Sequence, residues 1–310
     1  VEQEKVACGG GDTLTFQGKS PVYFTWKKEN CISSLWNVNA ADPVVRRPSA
    51  FACENMSFAT PLPEIQPALS QPQAASTRAD LIETARELDL AFQGQPIEAL
   101  LDAAVHKLFP GRIALLSSFG TEAAVVLHYL SEVDKTVPVL FLETGKHFME
   151  TLMYRDILIQ RFGFTDAREI KPDPLDLAAK DPNGDLWSKD PDACCRIRKV
   201  LPLDRAMQPF DAQITGRKRF QASTRKNIPL FEVSAEGKVK VNPLAHWTPD
   251  MVQDAFKRLK LPQHPLFDEG FTSIGCQPCT RRTQAGEDAR AGRWAGLDKT
   301  ECGIHLDFQI

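Results

Sequence analysis

Between residues 112 and 172 the chain twice runs through the same pattern: a short apolar stretch, a polar loop, then a longer segment with helical spacing. The stretches 112–116 and 137–142 are too short for helices and rich in aliphatic residues, which predicts buried strands. Helices are predicted over 121–132 and from the second loop through Arg161, and Ile170–Pro172 closes a third strand. Two further helices are predicted upstream. One covers 77–92, capped by Ser76 or Thr77 with Asp80 in its first turn; the other covers about 96–109. This alternation predicts an α/β fold built on a doubly wound parallel sheet. Such sheets bind ligands beyond the carboxyl ends of their strands, so the loops at 117–121 and 143–147 mark the expected site.

The flanks read differently. Residues 1–55 show no sustained periodicity, residues 56–77 are rich in Pro and Ala, and no methionine precedes Met56. The expected organisation is a disordered leader and linker over 1–76, of which 1–55 reads as sequence foreign to the native protein. An α/β domain follows over 77–285, and a flexible C-terminal arm over 286–310. The net charge of −3 argues against a general nucleic-acid or membrane-surface partner, so local basic clusters must answer to local anions. No apolar run approaches the roughly 18 residues of a membrane span, and residues 1–10 lack the apolar core of a signal peptide. A cytoplasmic location is the expectation.

Three loops carry candidate binding groups. Ser117, Ser118, Gly120 and Thr121 combine small residues and hydroxyls at a strand-to-helix turn, which suits backbone approach to a phosphate. Alone, the pattern is equally that of an ordinary tight turn. Thr144 and Gly145 follow the next strand at the equivalent place, with His147 behind them as a surface cap residue. Gly216 precedes Arg217, Lys218 and Arg219, and Arg225 follows, which predicts an anion site at another strand end.

Of eight cysteines, Cys8, Cys31 and Cys53 are scattered through the leader. Cys194 and Cys195 are adjacent, Cys276 and Cys279 form a C-x-x-C pair, and Cys302 stands alone near the end. A disulfide within the doublet would need a strained ring. Four thiolates from a doublet and a C-x-x-C suit either tetrahedral zinc or an iron–sulfur cluster, and spacing does not choose between them. Cys302, followed by Gly303 and His305, is a reactive thiol on a mobile arm or a spare structural cysteine.

Taken in order, SSFGTEAAV (117–125), LFLETGKHFMET (140–151), CCRIRKVLPL (194–203), ITGRKRFQASTR (214–225), KVNPLAHWT (240–248), SIGCQPCTR (273–281), GEDARAGRW (286–294) and KTECGIH (299–305) resemble the assimilatory adenylyl-sulfate (APS) / phosphoadenylyl-sulfate (PAPS) reductase family. The resemblance implies an adenine nucleotide α-hydrolase-like sheet. Its 117–121 loop is similar to the pyrophosphatase loop of ATP-using relatives, but Ser-Phe-Gly-Thr-Glu departs from their S-G-G-x-D, so ATP cleavage is not expected. It also implies that Cys194, Cys195, Cys276 and Cys279 ligate one [4Fe-4S] cluster, a feature of the branch that acts on APS. In the implied mechanism the Cys302 thiolate attacks the substrate's sulfur and releases AMP. Thioredoxin or glutaredoxin, as a separate protein, then frees sulfite. Lys199, Arg290, Arg293 and His305 are expected to hold phosphate and sulfate oxygens and to stabilise the thiolate. Arg198 is expected to serve the same anions, and Arg225 with the 117–121 loop to hold the nucleotide. A homo-oligomer is compatible with this reading. PAPS reduction, tRNA thiolation on the same sheet and a redox sensor are the alternatives.

Overall fold

The structure is a computed structural model, and it describes residues 13–14, 26–27, 77–297 and 299–305. Apart from an antiparallel pairing of Thr13–Leu14 (β1) with Trp26–Lys27 (β2), the expected leader and its three cysteines lie outside the described residues. So does the end of the arm after His305.

Six strands form one sheet: Ile113–Leu116 (β3), Val139–Leu142 (β4), Ala167–Ile170 (β5), Ala212–Thr215 (β6), Phe231–Val233 (β7) and Val239–Val241 (β8), in the order β5-β4-β3-β6-β8-β7. All neighbours are parallel except β7, which pairs antiparallel with β8 at one edge. Side chains alternate across the sheet. Ile113, Leu115, Val139, Phe141, Ala212 and Ile214 enter the larger apolar cluster, while Ala114, Leu116, Leu140 and Leu142 enter a smaller one with Leu203, Met207 and Phe210. Both faces are therefore covered, as a doubly wound sheet requires.

The helices follow the predicted pattern with local differences. Arg78–Phe92 (α1) begins at a Thr77–Asp80 capping box, which gives two of its first amide donors partners. Ile97–Asp102 (α2) runs on as a wider π-helical turn over Ala103–Leu108. Ala123–Val133 (α3) starts two residues later than expected, because Thr121 turns away to donate to the Thr272 carbonyl at 3.1 Å. Met149–Phe162 (α4) ends on Gly163, whose φ of 72° is the left-handed stop that glycine adopts at little cost. Strand β5 lies earlier than the apolar signal at 170–172 suggests. It is an edge strand whose exposed residues include Arg168 and Glu169, and charged edges hide a strand from hydrophobic patterning.

Beyond β5 come Pro174–Lys180 (α5), Leu186–Lys189 (α6) and Pro191–Cys195 (α7). A π-helical turn, Arg196–Val200, leads from α7 into Leu201–Ala206 (α8), and Pro249–Arg258 (α9) follows β8. The last described residues dock rather than swing free: Ile304 packs against the smaller apolar cluster and Glu301 is buried.

Candidate active site

Beyond the carboxyl ends of β3, β4 and β6 lies a cleft of about 200 Å³. Its wall includes Ser117, Ser118, Gly120 and Thr121 from the first loop, Gly216 and Arg217 from the third, and Cys302 and His305 from the arm. Six cations line it (Lys199, Arg217, Lys218, Arg225, Arg290 and Arg293) against two carboxylates, Glu122 and Glu301. A concave site with that excess favours a polyanion.

The first loop owes its shape to Phe119, a non-glycine residue at φ 47°. That conformation costs about 1–2 kcal/mol. Burial of the ring, 1% exposed and edge-on to Phe141 at 5.5 Å, is worth about as much. With the ring held inside, Ser118 and Gly120 face the cleft, and α3 begins behind them without a side-chain cap. Two of its first amides close local turns instead, Ala123 onto the Gly120 carbonyl at 3.0 Å and Val125 onto the Glu122 carbonyl at 3.3 Å.

The third loop differs from expectation. Arg217 donates to Glu232, to Asn242 Oδ1 at 3.0 Å and to Thr215 Oγ1. Lys218, almost wholly buried, donates to Glu122 Oε2 at 2.8 Å and the Gly216 carbonyl at 2.9 Å. Burial pulls the Lys218 ammonium below its ordinary pKa, and Glu122 opposes the shift. Arg225 was expected on the nucleotide, yet all three of its guanidinium nitrogens have protein partners. Nε and one terminal nitrogen meet the two Glu301 oxygens at 2.7 and 2.8 Å, and the other meets Gln221 Oε1 at 2.7 Å.

The half-buried Cys302 shares the wall of the cleft with Lys199, Arg290, Arg293 and His305. Arg290 donates to the Thr300 carbonyl at 2.9 Å and to Glu301 at 3.3 Å, and burial lowers its pKa to about 10. The Arg293 guanidinium lies 4.5 Å from the Trp294 ring centre and donates to the Ile274 carbonyl, while its buried Nε has no protein partner. The guanidinium lies over Gly275, where a Cβ would have to displace it. His305 was expected to help hold anions. Burial, and then the neighbouring Arg217, Arg225, Lys240 and Arg290, keep its pKa well below the ordinary value, so near neutral pH it is an uncharged imidazole. It can offer one N–H donor but no positive charge.

Three residues assigned to the nucleotide or its anions lie elsewhere. Thr144 is fully buried, with its hydroxyl 3.3 Å from Cys276 Sγ. Gly145 takes a φ of 67°, a left-handed turn that glycine adopts readily, beside Arg198. Arg198 itself donates to the Thr144 carbonyl and to Asp181, both at 2.6 Å. Of the three, Arg198 lines a second, smaller cavity, together with Cys194, Cys195, Cys276, Cys279, Lys199 and Trp294. Its four thiols are free of disulfides. Burial pushes Cys194 up to about 11 and Cys195 to about 12. Burial also opposes ionisation of Cys276, but Lys199, the Thr144 hydroxyl and Arg293 outweigh it and lower its pKa. Among the described residues no group of three or more donors converges on a single metal ion.

Lys199 and Trp294 line both cavities. Burial alone would lower the Lys199 pKa, yet Cys276, Cys302 and Cys195 hold it above its ordinary value. Sequence reading missed Trp294, Glu301 and the buried carboxylate Asp181. Glu301 had a signal: it is the single acid beside a thiol in a segment destined for a cationic cleft.

The family model of the phosphoadenosine phosphosulfate reductase domain matches residues 112–282. Adenosine 5′-phosphosulfate reductase from Mesorhizobium japonicum is 52% identical over 212 residues, which cover 68% of this chain and 83% of that protein. Phosphoadenosine 5′-phosphosulfate reductase from Gloeobacter violaceus is 42% identical over 213 residues, covering 67% and 88%. A crystal structure of phosphoadenylyl-sulfate reductase from Candida auris, a phosphate complex, superposes with a TM-score of 0.55 at 27% identity, over 64% of this chain and 97% of that one. The family-model match contains all six strands of the sheet and Cys194, Cys195, Cys276 and Cys279, and the chain belongs to the APS/PAPS reductase family.

Proposed function

We propose that the protein reduces adenylyl sulfate to sulfite and AMP, with Cys302 as nucleophile and a separate dithiol protein, thioredoxin or glutaredoxin, as reductant. The observation that carries this reading is the placement of Cys302 in a cationic cleft beside Lys199. The thiolate is the attacking form of a cysteine. Its Sγ bonds to the substrate's sulfur while the sulfur–oxygen bond to phosphate breaks, which gives Cys302–S–SO₃⁻ and AMP. A thiolate of the donor then attacks Cys302 Sγ and expels sulfite. The donor's second thiol resolves the mixed disulfide, so the dithiol supplies both electrons. Lys199 and the unpartnered Nε of Arg293 are placed to take charge on the sulfonyl and phosphate oxygens. His305 adds a neutral donor, and Ser118 and Gly120 receive the phosphate.

The smaller cavity fits an iron–sulfur cluster in its donor set: four free thiols around one space, with Arg198 Nε and Trp294 Nε1 buried there without partners. Cys194, Cys195, Cys276 and Cys279 would hold a [4Fe-4S] group, whose negative charge such donors would meet. When bound, the cluster supplies a fixed charge across Lys199 from the reacting thiol.

Substrate choice follows from the third loop. A 3′-phosphate would need free donors, yet Arg217 and Lys218 are tied to Glu232 and Glu122, and Arg219 Nε donates to the Ile228 carbonyl. This favours APS over PAPS. Sulfite and AMP release by anaerobically purified protein should be measured with both nucleotides. The reading predicts a kcat/KM for APS higher by about tenfold or more. The same margin in favour of PAPS would overturn the substrate assignment, and sulfite from neither nucleotide would overturn the reductase.

A further inference from the structure

Glu301 neighbours the thiol but has no part in the sulfur chemistry above. We infer that it is a positioning residue, and that its bidentate ion pair with Arg225 is the clasp that fixes the Cys302 segment over the cleft. The inference rests on the reading of Cys302 as nucleophile.

Four observations carry it. Glu301 and Arg225 are each only 9% exposed, so the pair lies out of water. Both carboxylate oxygens are engaged by Arg225, with Arg290 at 3.3 Å and the Thr224 hydroxyl at 3.4 Å completing the set. Burial acts to raise the Glu301 pKa, and these partners lower it below the ordinary carboxylate value. The Arg225 side is braced in turn: Gln221 accepts from Arg225 and donates to Glu122 Oε2 at 2.7 Å. A hydrogen-bonded chain thus runs from Glu122, at the start of α3, through Gln221 and Arg225 to Glu301, and the next residue is the thiol. The position of Cys302 is thereby referenced to the nucleotide loop.

The chemistry explains why an ion pair suits this place. A carboxylate beside the nucleophile would repel an anionic substrate unless arginines neutralised it. Loss of one partner would leave the other charge buried and uncompensated, which costs far more than a surface pair. Around the clasp, Arg290 holds the Thr300 carbonyl at 2.9 Å, Lys299 meets Asp192, Ile304 packs on the smaller apolar cluster and Lys240 donates to the His305 carbonyl. These contacts hold the segment through its backbone and its flanking residues. Glu301 alone anchors the residue next to the thiol through its side chain. The arm must nevertheless yield when the donor dithiol approaches, and a polar clasp can open to water without exposing a large apolar face.

The test uses the folded, full-length protein. Trypsin cleaves after Lys299, whose side chain is 7% exposed while the arm is docked. Glu301→Gln and Arg225→Gln should each raise the cleavage rate there by roughly tenfold, measured well below each variant's own melting temperature and with iron content as a control for the fold. In a single turnover at saturating APS without reductant, the same variants should form the Cys302 adduct about 10²-fold more slowly. KM should not rise in parallel, as it would if the residues bound substrate. Glu301→Asp should recover part of the adduct rate, whereas Arg225→Lys, which lacks the planar fork, should recover little. Folded Glu301→Gln protein with wild-type cleavage and adduct rates would overturn the clasp. If wild-type protein forms no adduct at all, the assignment of Cys302 fails, while the cleavage rates still decide the clasp.

Discussion

The two cavities that meet at Lys199 are built on opposite principles. The larger is a product of topology: parallel strands end together, their loops gather at one edge, and a cleft results. Its contents are polar and open to exchange. The smaller draws its thiols from two segments far apart in sequence, the end of α7 and the loop at 276–279, and encloses them among buried polar groups. One is shaped to admit and release an anion; the other is suited to retain a permanent guest. The comparison teaches that charge near a site does not identify which cavity it serves. Arg198 and Lys199 are neighbours on the π-helical turn Arg196–Val200, yet their side chains go different ways. Arg198 turns to the four-thiol cavity and Asp181, while Lys199 reaches both cavities.

The largest effect should come from the retaining cavity. Serine at Cys276 should abolish bound iron and sulfite formation together, because a hydroxyl is a poor substitute for a thiolate. Iron and sulfide analysis beside the activity assay checks this; iron near four per chain in an inactive variant would separate the two cavities more than proposed. The next effect compares the neighbours. Lys199→Gln should keep its iron and lose about 10²–10³-fold in adduct formation, through lost charge stabilisation at the thiol. Arg198→Gln should act through stability instead. It leaves Asp181 buried without its partner, at a cost of about 3–5 kcal/mol, and should lower the melting temperature and iron retention while AMP affinity stays unchanged. Equal behaviour of the two variants would dissolve the distinction between the cavities.

The smallest effect lies outside both cavities. His264, 1% exposed beneath α4, accepts from the Leu266 amide at Nδ1 and stands 3.1 Å from the Thr151 hydroxyl at Nε2. Nδ1 therefore has no room for a proton, and burial lowers the pKa to about 4. The unfolded chain takes up that proton near pH 6.5, the folded protein only near 4, so stability falls as pH drops through this window. The loss approaches roughly 3 kcal/mol at the acid end. Melting temperatures from pH 7 to pH 4 should show this slope, and His264→Gln should flatten it; an unchanged slope in the variant would place the titration on another group.

How much of this was legible in the sequence depends on what the signal measures. The strands β3 and β4 and the helices behind them were readable because burial on a regular lattice leaves a period. Strand β5 was displaced because its exposed, charged edge carries no such period. The four cysteines were legible as a set because few structures crowd thiols in a doublet and a C-x-x-C. The cations were not assignable one by one. Cation-rich stretches announce anions, but Arg217, Lys218 and Arg225 find theirs on Glu232, Glu122 and Glu301, and tertiary pairing of that kind leaves no local trace. Thr144 and Gly145 occupy the strand-end position that topology assigns to ligands, yet Thr144 meets Cys276 and its carbonyl is bridged by Arg198 to Asp181.

The central claim is that Cys302 carries the transferred sulfonate, and it can be tested without reference to any variant. Wild-type protein mixed with adenylyl sulfate in the absence of a reductant should release about one AMP per chain, since each thiol can attack once. It should gain the mass of SO₃ on the tryptic peptide that begins at Thr300, and reduced thioredoxin should remove that mass as sulfite. An adduct on Cys194, Cys195, Cys276 or Cys279, or AMP release with no covalent adduct, would contradict the account.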